Sequence, residues 1–384
     1  MQLPNELLYA DILHTNRFLT MRLTHFYHSA LRMKQAHFLY LFIGWIVLAV
    51  MAGITGCRQN SPASEQQNQA DAAEDTTAEM SINNIPQIKQ LTQRISQDSA
   101  NAQLYFLRGS VYAKANAPNL AAADFYRALA IDSVNSLYYL AAAEVFFTKT
   151  DLKTAIRLLE KAQALLPDSM NIKTELGKYY YYVQQYEPAV ETLQKVIAAQ
   201  PNNAAALFWT GMTYRDKNET DKAIDYLKKA TKFDPDFYNG YMVLANLLAQ
   251  KNNPDALTHY NKALAIDSLS IEALYGKALF LQNTGKTKDA LDTYRKIVLI
   301  EPQYPDAHYN TGYIYYNQND YETALKNFNI AIRVSPAYAK AYYMRGLCAE
   351  KLGKTADAKT DFLSALKFDP KLTLAEEALN RVNK

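Results

Sequence analysis

The hydrophobic positions of this chain fall into a long register in which small apolar residues return at a fixed interval. Ala121, Ala155, Ala189, Ala223, Ala256, Ala290, Ala324 and Ala358 stand 34 residues apart, except for one step of 33 between Ala223 and Ala256. Ahead of them runs a second small series: Gly109, Ala143, Gly177, Gly211, Ala245, Ala278, Gly312 and Gly346. Where two helix backbones approach closely, only glycine, alanine or a similar residue fits. The last three quarters of the chain are therefore predicted to be an array of helical hairpins.

Larger residues keep the same register. Counted from Ala102, the eleventh place of successive units holds Tyr112, Phe146, Tyr180, Tyr214, Leu248, Leu281 and Tyr315, with Ala349 as the exception. The twenty-fourth place holds Phe125, Leu159, Leu193, Leu227, Tyr294, Phe328 and Phe362, and Tyr260 takes it in the shortened unit. These side chains are expected to fill the space around the small ones. Each unit closes on Pro167, Pro201, Pro235, Pro302, Pro336 or Pro370, or on Ser133 or Ser268, which ends its second helix.

This pattern of aromatic, leucine, small, tyrosine, alanine, aromatic, alanine and proline places resembles the tetratricopeptide repeat family. The resemblance implies an all-α fold, a right-handed superhelical solenoid of antiparallel helix pairs, with about eight units over residues 102–372. In the fifth unit Asn252, Asn253 and Pro254 are expected to shorten the turn between helices and to rotate the second helix slightly. Before the array, in residues 84–101, Ile88, Leu91 and Ile95 recur at helical spacing, as in the second helix of an incomplete unit. After it, in residues 373–384, Leu374, Ala378, Leu379 and Val382 form one apolar face of a capping helix.

The front of the chain carries a different pattern. Residues 38–56 are nineteen uncharged positions preceded by Arg32 and Lys34 and ending in Ile54, Thr55 and Gly56, directly before Cys57. That arrangement resembles a bacterial lipoprotein signal peptide, and the resemblance implies that Cys57 is lipidated. An uncleaved membrane anchor is the competing reading, since about 20 apolar residues span a bilayer. Met33 precedes Lys34, so residues 33–56 make an ordinary signal peptide and residues 1–32 read as an over-extended start or leader. In residues 57–83 the stretch from Arg58 to Met80 is rich in Gln, Asn, Ala, Ser and acidic side chains, the composition of a flexible tether. Its reach is roughly 25 to 30 Å.

Charge and rare residues narrow the chemistry. Removing everything before Cys57 takes away Arg17, Arg22, Arg32, Lys34, Glu6 and Asp11 and leaves a formal charge of +1. Such a balance gives no electrostatic footprint for nucleic acid. Only His259 and His308 remain of the histidines, in different units, and Cys348 is the one cysteine besides Cys57. The glycines are taken by helix contacts, or by turns at Gly285 and Gly353, leaving Gly240 and Gly276 unassigned. No phosphate loop, nucleophile elbow or zinc motif is assembled from these residues, so no catalytic residue, cofactor or metal is expected.

Function is then expected from surface. In the family resembled, the first helices line a concave groove through their second, fifth, ninth, twelfth and thirteenth places. Carried onto this chain, the partner-binding residues are Phe106, Tyr181, Tyr182, Phe208, Met212, Tyr275, Tyr309, Tyr313, Tyr316 and Tyr343. Tyrosine combines apolar area with a polar tip, and about half of these residues are expected to be substantially exposed. The carboxylate clamp of one subclass, lysine at the fifth place and asparagine at the ninth, is absent: the first unit has Phe106 and Ser110 there. The reading is a lipid-tethered scaffold for an extended segment or helix of an envelope protein. The alternative is a glycan-binding protein, with Asp306, Tyr309, Tyr313 and Asn317 as a sugar platform. Arg58 follows Cys57, where aspartate would favour inner-membrane retention. An outer-membrane lipoprotein facing the periplasm is therefore expected, with surface display or inner-membrane anchoring as alternatives.

Overall fold

The computed structural model describes residues 81–383. The apolar run, Met33, Cys57 and most of the polar tether lie outside the described residues. After a short helical stretch at residues 81–83, eighteen helices follow one another without an intervening strand among the described residues. They are α1 (Pro86–Gln97), α2 (Ala102–Lys114), α3 (Pro118–Ile131), α4 (Ser136–Thr148), α5 (Leu152–Leu165) and α6 (Met170–Tyr182). Then come α7 (Tyr186–Ala199), α8 (Ala204–Asp216), α9 (Thr220–Phe233), α10 (Tyr238–Gln250), α11 (Ala256–Ile266) and α12 (Ile271–Asn283). The last are α13 (Thr287–Ile300), α14 (Pro305–Asn317), α15 (Tyr321–Val334), α16 (Ala339–Lys351), α17 (Thr355–Phe368) and α18 (Thr373–Val382).

Each helix packs on the next, and the even-numbered helices from α2 to α16 also approach the first helix of a neighbouring unit more closely than two second helices approach each other. The result is a helical solenoid whose inner face is built from first helices. All eight alanines of the first series are fully buried. The second small series faces the twenty-fourth place across the hairpin. A methyl added at Gly177 would lie 2.5 Å from Leu193 Cγ, and one at Gly346 would lie 2.6 Å from the Phe362 ring. Small residue and large residue are thus two halves of one contact.

The hairpin turns share one device. The fifteenth residue of every unit is left-handed: Asn116, Thr150, Gln184, Asn218, Asn252, Gly285, Asn319 and Gly353, with φ between 51° and 76°. The next amide then donates to the carbonyl five residues back, as in Ala117 to Tyr112 and Gln185 to Tyr180, both at 2.9 Å. This closes the helix C-terminus by the αL cap expected of glycine or asparagine.

The shortened unit departs from the expectation. Its turn is intact, with Asn252 left-handed and Asn253 donating to the Leu248 carbonyl. The missing residue is absorbed by α11, which has 11 residues where the other second helices have 14. Helix α11 starts at Ala256, because Pro254 and Asp255 form a turn instead of a first helical turn.

Helix α1 buries Ile88, Leu91 and Ile95 against the first unit. At the other end α18 buries Ala375 and Ala378, with Leu379 and Val382 packed partly against them. Leu374, expected on this face, is 52% exposed. It lies about a quarter-turn from the centre of the stripe that residues 375, 378, 379 and 382 define. Of the two unassigned glycines, Gly276 makes room for Tyr260, whose ring lies 2.7 Å from the position of an added methyl.

Candidate functional site

The ten aromatic and apolar residues expected to form the groove all lie on first helices, but they are less open than expected. Tyr181, Phe208 and Met212 are buried, Tyr313 is exposed, and Phe106, Tyr182, Tyr275, Tyr309, Tyr316 and Tyr343 are intermediate. The cause is a set of neighbours on the chain that the sequence reading did not single out. Phe237, Tyr304 and Tyr338, which lead into the following first helices, lie with ring centroids 4.7, 5.6 and 5.2 Å from Phe208, Tyr275 and Tyr309. In the first unit Tyr138 covers Phe106 at 5.0 Å. Four of the five fifth-place rings are therefore roofed by a ring at or just before the start of the next first helix, while the fifth, Tyr343, packs on Phe362 of its own unit.

Hydrogen bonds hold this roof. Tyr338 Oη donates to Asp306 Oδ1 at 2.5 Å, and Asn310 Nδ2 donates to Tyr275 Oη at 3.2 Å. Burial pushes the Tyr309 hydroxyl up to about 12, so it stays a neutral donor at physiological pH. Burial, aided by the bond to Asp306, raises Tyr338 as well.

A second polar cluster lies in units two to four. The Lys178 ammonium is buried, bound to Glu175 at 2.7 Å, and lies 5.4 and 5.1 Å from the ring centroids of Phe147 and Tyr179. Tyr179 donates to Glu144. Burial raises the Glu144 carboxyl above its ordinary range, with Lys178 opposing. For Lys178 burial works against the charge, but Glu175 and Glu144 outweigh it and the ammonium is held. Next to this cluster Tyr181 donates to Asp216 at 2.8 Å, Arg215 donates to Tyr181 at 3.0 Å, and Trp209 packs on both Tyr181 and Tyr182. Tyr181 is thus a cross-brace between units three and four.

Of the ten expected residues the exposed one is Tyr313 in unit seven, with Asn317 exposed one turn on and Tyr316 and Tyr343 nearby in sequence register and half-buried. Arg381 of α18 closes this end by a bidentate bond to Glu350 at 2.7 and 2.8 Å. Side chains at this surface offer rings, amides and hydroxyls, which suit apolar packing and hydrogen bonding to a partner.

The rare residues have packing roles. His308 is buried and its Nε2 lies 3.2 Å from the Pro302 carbonyl oxygen. Burial pushes the Cys348 thiol up to about 12, which keeps it protonated and unreactive near neutral pH. Among the described residues no group of three His, Cys, Asp or Glu side chains could hold a metal ion, and no helix is long and apolar enough to cross a membrane.

Two family models, both described as tetratricopeptide repeat, match the array, one at residues 174–236 and 309–372 and the other at residues 247–312. The DnaJ homolog subfamily C member 3 homolog of Dictyostelium discoideum is 24% identical over 118 residues, which are 30% of this chain and only 24% of that protein's length. Among solved structures, the C-terminal part of a TPR repeat-containing protein from Cytophaga hutchinsonii superimposes with a TM-score of 0.54 at 17% identity. It covers 62% of this chain and 98% of that one. A tetratricopeptide repeat protein from Parabacteroides merdae covers 64% and 98%, with a TM-score of 0.44 and 18% identity. Eight hairpins in one register, the small-against-large contact at Gly109, Gly177, Gly211, Gly312 and Gly346, and the matching family models together place the chain in the tetratricopeptide repeat family.

Proposed function

We propose that this chain is a non-enzymatic adaptor, tethered by a lipid on Cys57, which holds an extended segment or a helix of an envelope protein in the inner face of its solenoid. The observation that carries this reading is the open surface around Tyr313, Tyr316, Asn317 and Tyr343, on helices fixed by a rigid array. The tetratricopeptide fold serves as a protein-interaction scaffold, and rigid aromatic side chains grip a partner at low entropic cost. An outer-membrane location facing the periplasm rests on the lipobox resemblance and on Arg58.

The glycan reading is weaker on this geometry. Of its four platform residues, Asp306 is engaged by Tyr338 and Tyr309 is stacked beneath it, which leaves Tyr313 and Asn317 free for a sugar.

The experiment is crosslinking and capture from native envelopes with wild type and with a Tyr313→Ala, Tyr343→Ala double variant. Tyr313 is chosen as the exposed ring of the ten groove residues and Tyr343 as a half-buried one from the next unit; Tyr343 also packs on Phe362 within the array, so circular dichroism checks the fold of the variant. Specific loss of one or two proteins in the variant is the expected outcome. An unchanged set of partners removes the site from this surface. Intact mass of the processed protein tests the anchor, since an unmodified Cys57 with the apolar run retained excludes lipidation.

A further inference from the structure

The polar cluster of units two to four has one carboxylate more than it has cations. Lys178 is bound to Glu175 and Arg215 to Asp216, both at 2.7 Å, so each cation has a carboxylate of its own. Glu144 is left over. Among the described residues no cation lies within ion-pair distance of it, and its carboxylate accepts one hydrogen bond, from Tyr179 at 3.1 Å to Oε2. Lys178 favours its charge from farther off and Glu175 works against it, so the excess is negative.

The other oxygen is not sealed in. Among the described residues the one enclosed side-chain atom without a hydrogen-bond partner is Nδ1 of His259, so Oε1 of the half-buried Glu144 keeps its access to solvent. Glu144 reaches from α4 to Tyr179 on α6, two first helices, and so lies on the face that first helices build.

Rings stand beside it. Phe147 is one turn further along α4, the Tyr182 ring of α6 lies 5.1 Å from it, and the Trp209 ring of α8 lies 5.4 Å beyond that. All three are half-buried, and they form a row across three successive first helices. The row already draws one cation, since the Lys178 ammonium sits 5.4 Å from the Phe147 centroid.

These observations select the charge of an occupant. A carboxylate partly withdrawn from water without a counter-ion raises the free energy of the unbound protein, and a cation that reaches it recovers that cost. Neighbouring ring faces attract the same charge. An acidic side chain would meet an excess of its own sign, and an apolar one would strip water from Oε1 without replacing the hydrogen bond.

We propose that units two to four hold a subsite of the inner face for an arginine or lysine side chain of a bound protein segment, with Glu144 as its counter-ion and Phe147, Tyr182 and Trp209 as the aromatic surface beside it. This rests on the reading of the inner face as a binding surface, and it adds the charge of the segment that the face takes. It is separate from the surface around Tyr313 in unit seven.

The test is selection of a phage-displayed random dodecapeptide library on the full chain, followed by fluorescence anisotropy with the enriched peptides. Peptides containing Arg or Lys are expected. Their affinity should fall at least about tenfold in Glu144→Gln, which removes the charge and keeps the shape, and about threefold in Phe147→Leu; circular dichroism checks the fold of each variant. Changing the basic residue of the peptide to Gln should cost as much on wild type and little more on Glu144→Gln, because both changes remove the same contact. The peptide change is read on wild type, so a folding defect in the variant leaves the test intact. The proposal is overturned if no basic peptide is enriched, if a folded Glu144→Gln variant binds the peptides as wild type does, if the peptide change costs nothing on wild type, or if the two losses add in full. Peptides lost in the Tyr313→Ala, Tyr343→Ala variant but kept by Glu144→Gln would leave the groove reading standing and overturn this subsite alone.

Discussion

Gly177 shows what one atom does in this array. A methyl there would lie 2.5 Å from Leu193 Cγ and 2.7 Å from Leu193 Cδ2, so Gly177→Ala forces Leu193 or its helix to shift. Overpacking of this kind costs about 1 to 3 kcal/mol, and urea denaturation should show a loss in that range. A loss no larger than that of a surface substitution would mean that Leu193 has room to move. His259 sets a second, pH-dependent effect. Its Nδ1 is buried without a partner, it lies against Tyr241, and burial lowers its pKa from the ordinary 6.5, with Asp255 opposing and Lys228 adding to the shift. A folded-state pKa below the unfolded one leaves stability whole above the unfolded value and removes it as pH falls through the folded value. Stability should therefore decline below about pH 6.5, and His259→Phe should flatten that part of the thermal stability profile. The same slope in the variant would assign the decline to carboxylates.

At the level of the helical pair, the small and large places were legible because they answer to sterics inside one repeat, and the register made each of them visible eight times. The turns were legible only in part. Gly285 and Gly353 announce a left-handed residue, but Thr150 and Gln184 occupy the same conformation at φ 61° with nothing in their chemistry to announce it. A β-branched residue there is strained, by about 1 to 2 kcal/mol. Thr150→Gly should recover part of this, a gain of about 0.5 to 1 kcal/mol after the entropy of the unfolded glycine is subtracted. Equal or lower stability by thermal denaturation would show that the Thr150 side chain contributes a compensating contact. The groove was harder to read for a related reason. Which tyrosines stay open depends on Phe237, Tyr304 and Tyr338, which belong to the junctions between units and differ from one junction to the next. Whether Tyr181 faces a ligand or braces Asp216 is settled across two units, beyond the reach of a single-repeat pattern.

For the whole molecule, two arginine staples, Arg108 on Asp124 and Arg345 on Asp361, stand at the two ends of the array. A terminal repeat has one neighbour instead of two, so linear arrays ordinarily lose their ends first. Here Arg108 ties α1, α2 and α3 together at one end, and Arg345 ties α15, α16 and α17 at the other, with α18 held by Arg381. The middle has the short helix α11, a histidine whose buried Nδ1 has no partner, and a cavity of about 310 Å³ between α11 and α13. Native-state hydrogen exchange should find α11 exchanging faster than α3 and α17, the reverse of peeling from the termini. Fastest exchange in α3 and α17 would show that the staples do not offset the missing neighbours. If the middle opens first, the chain behaves as two stiff arms joined at a soft joint, and how far α11 gives way sets the angle at which the arms present the groove.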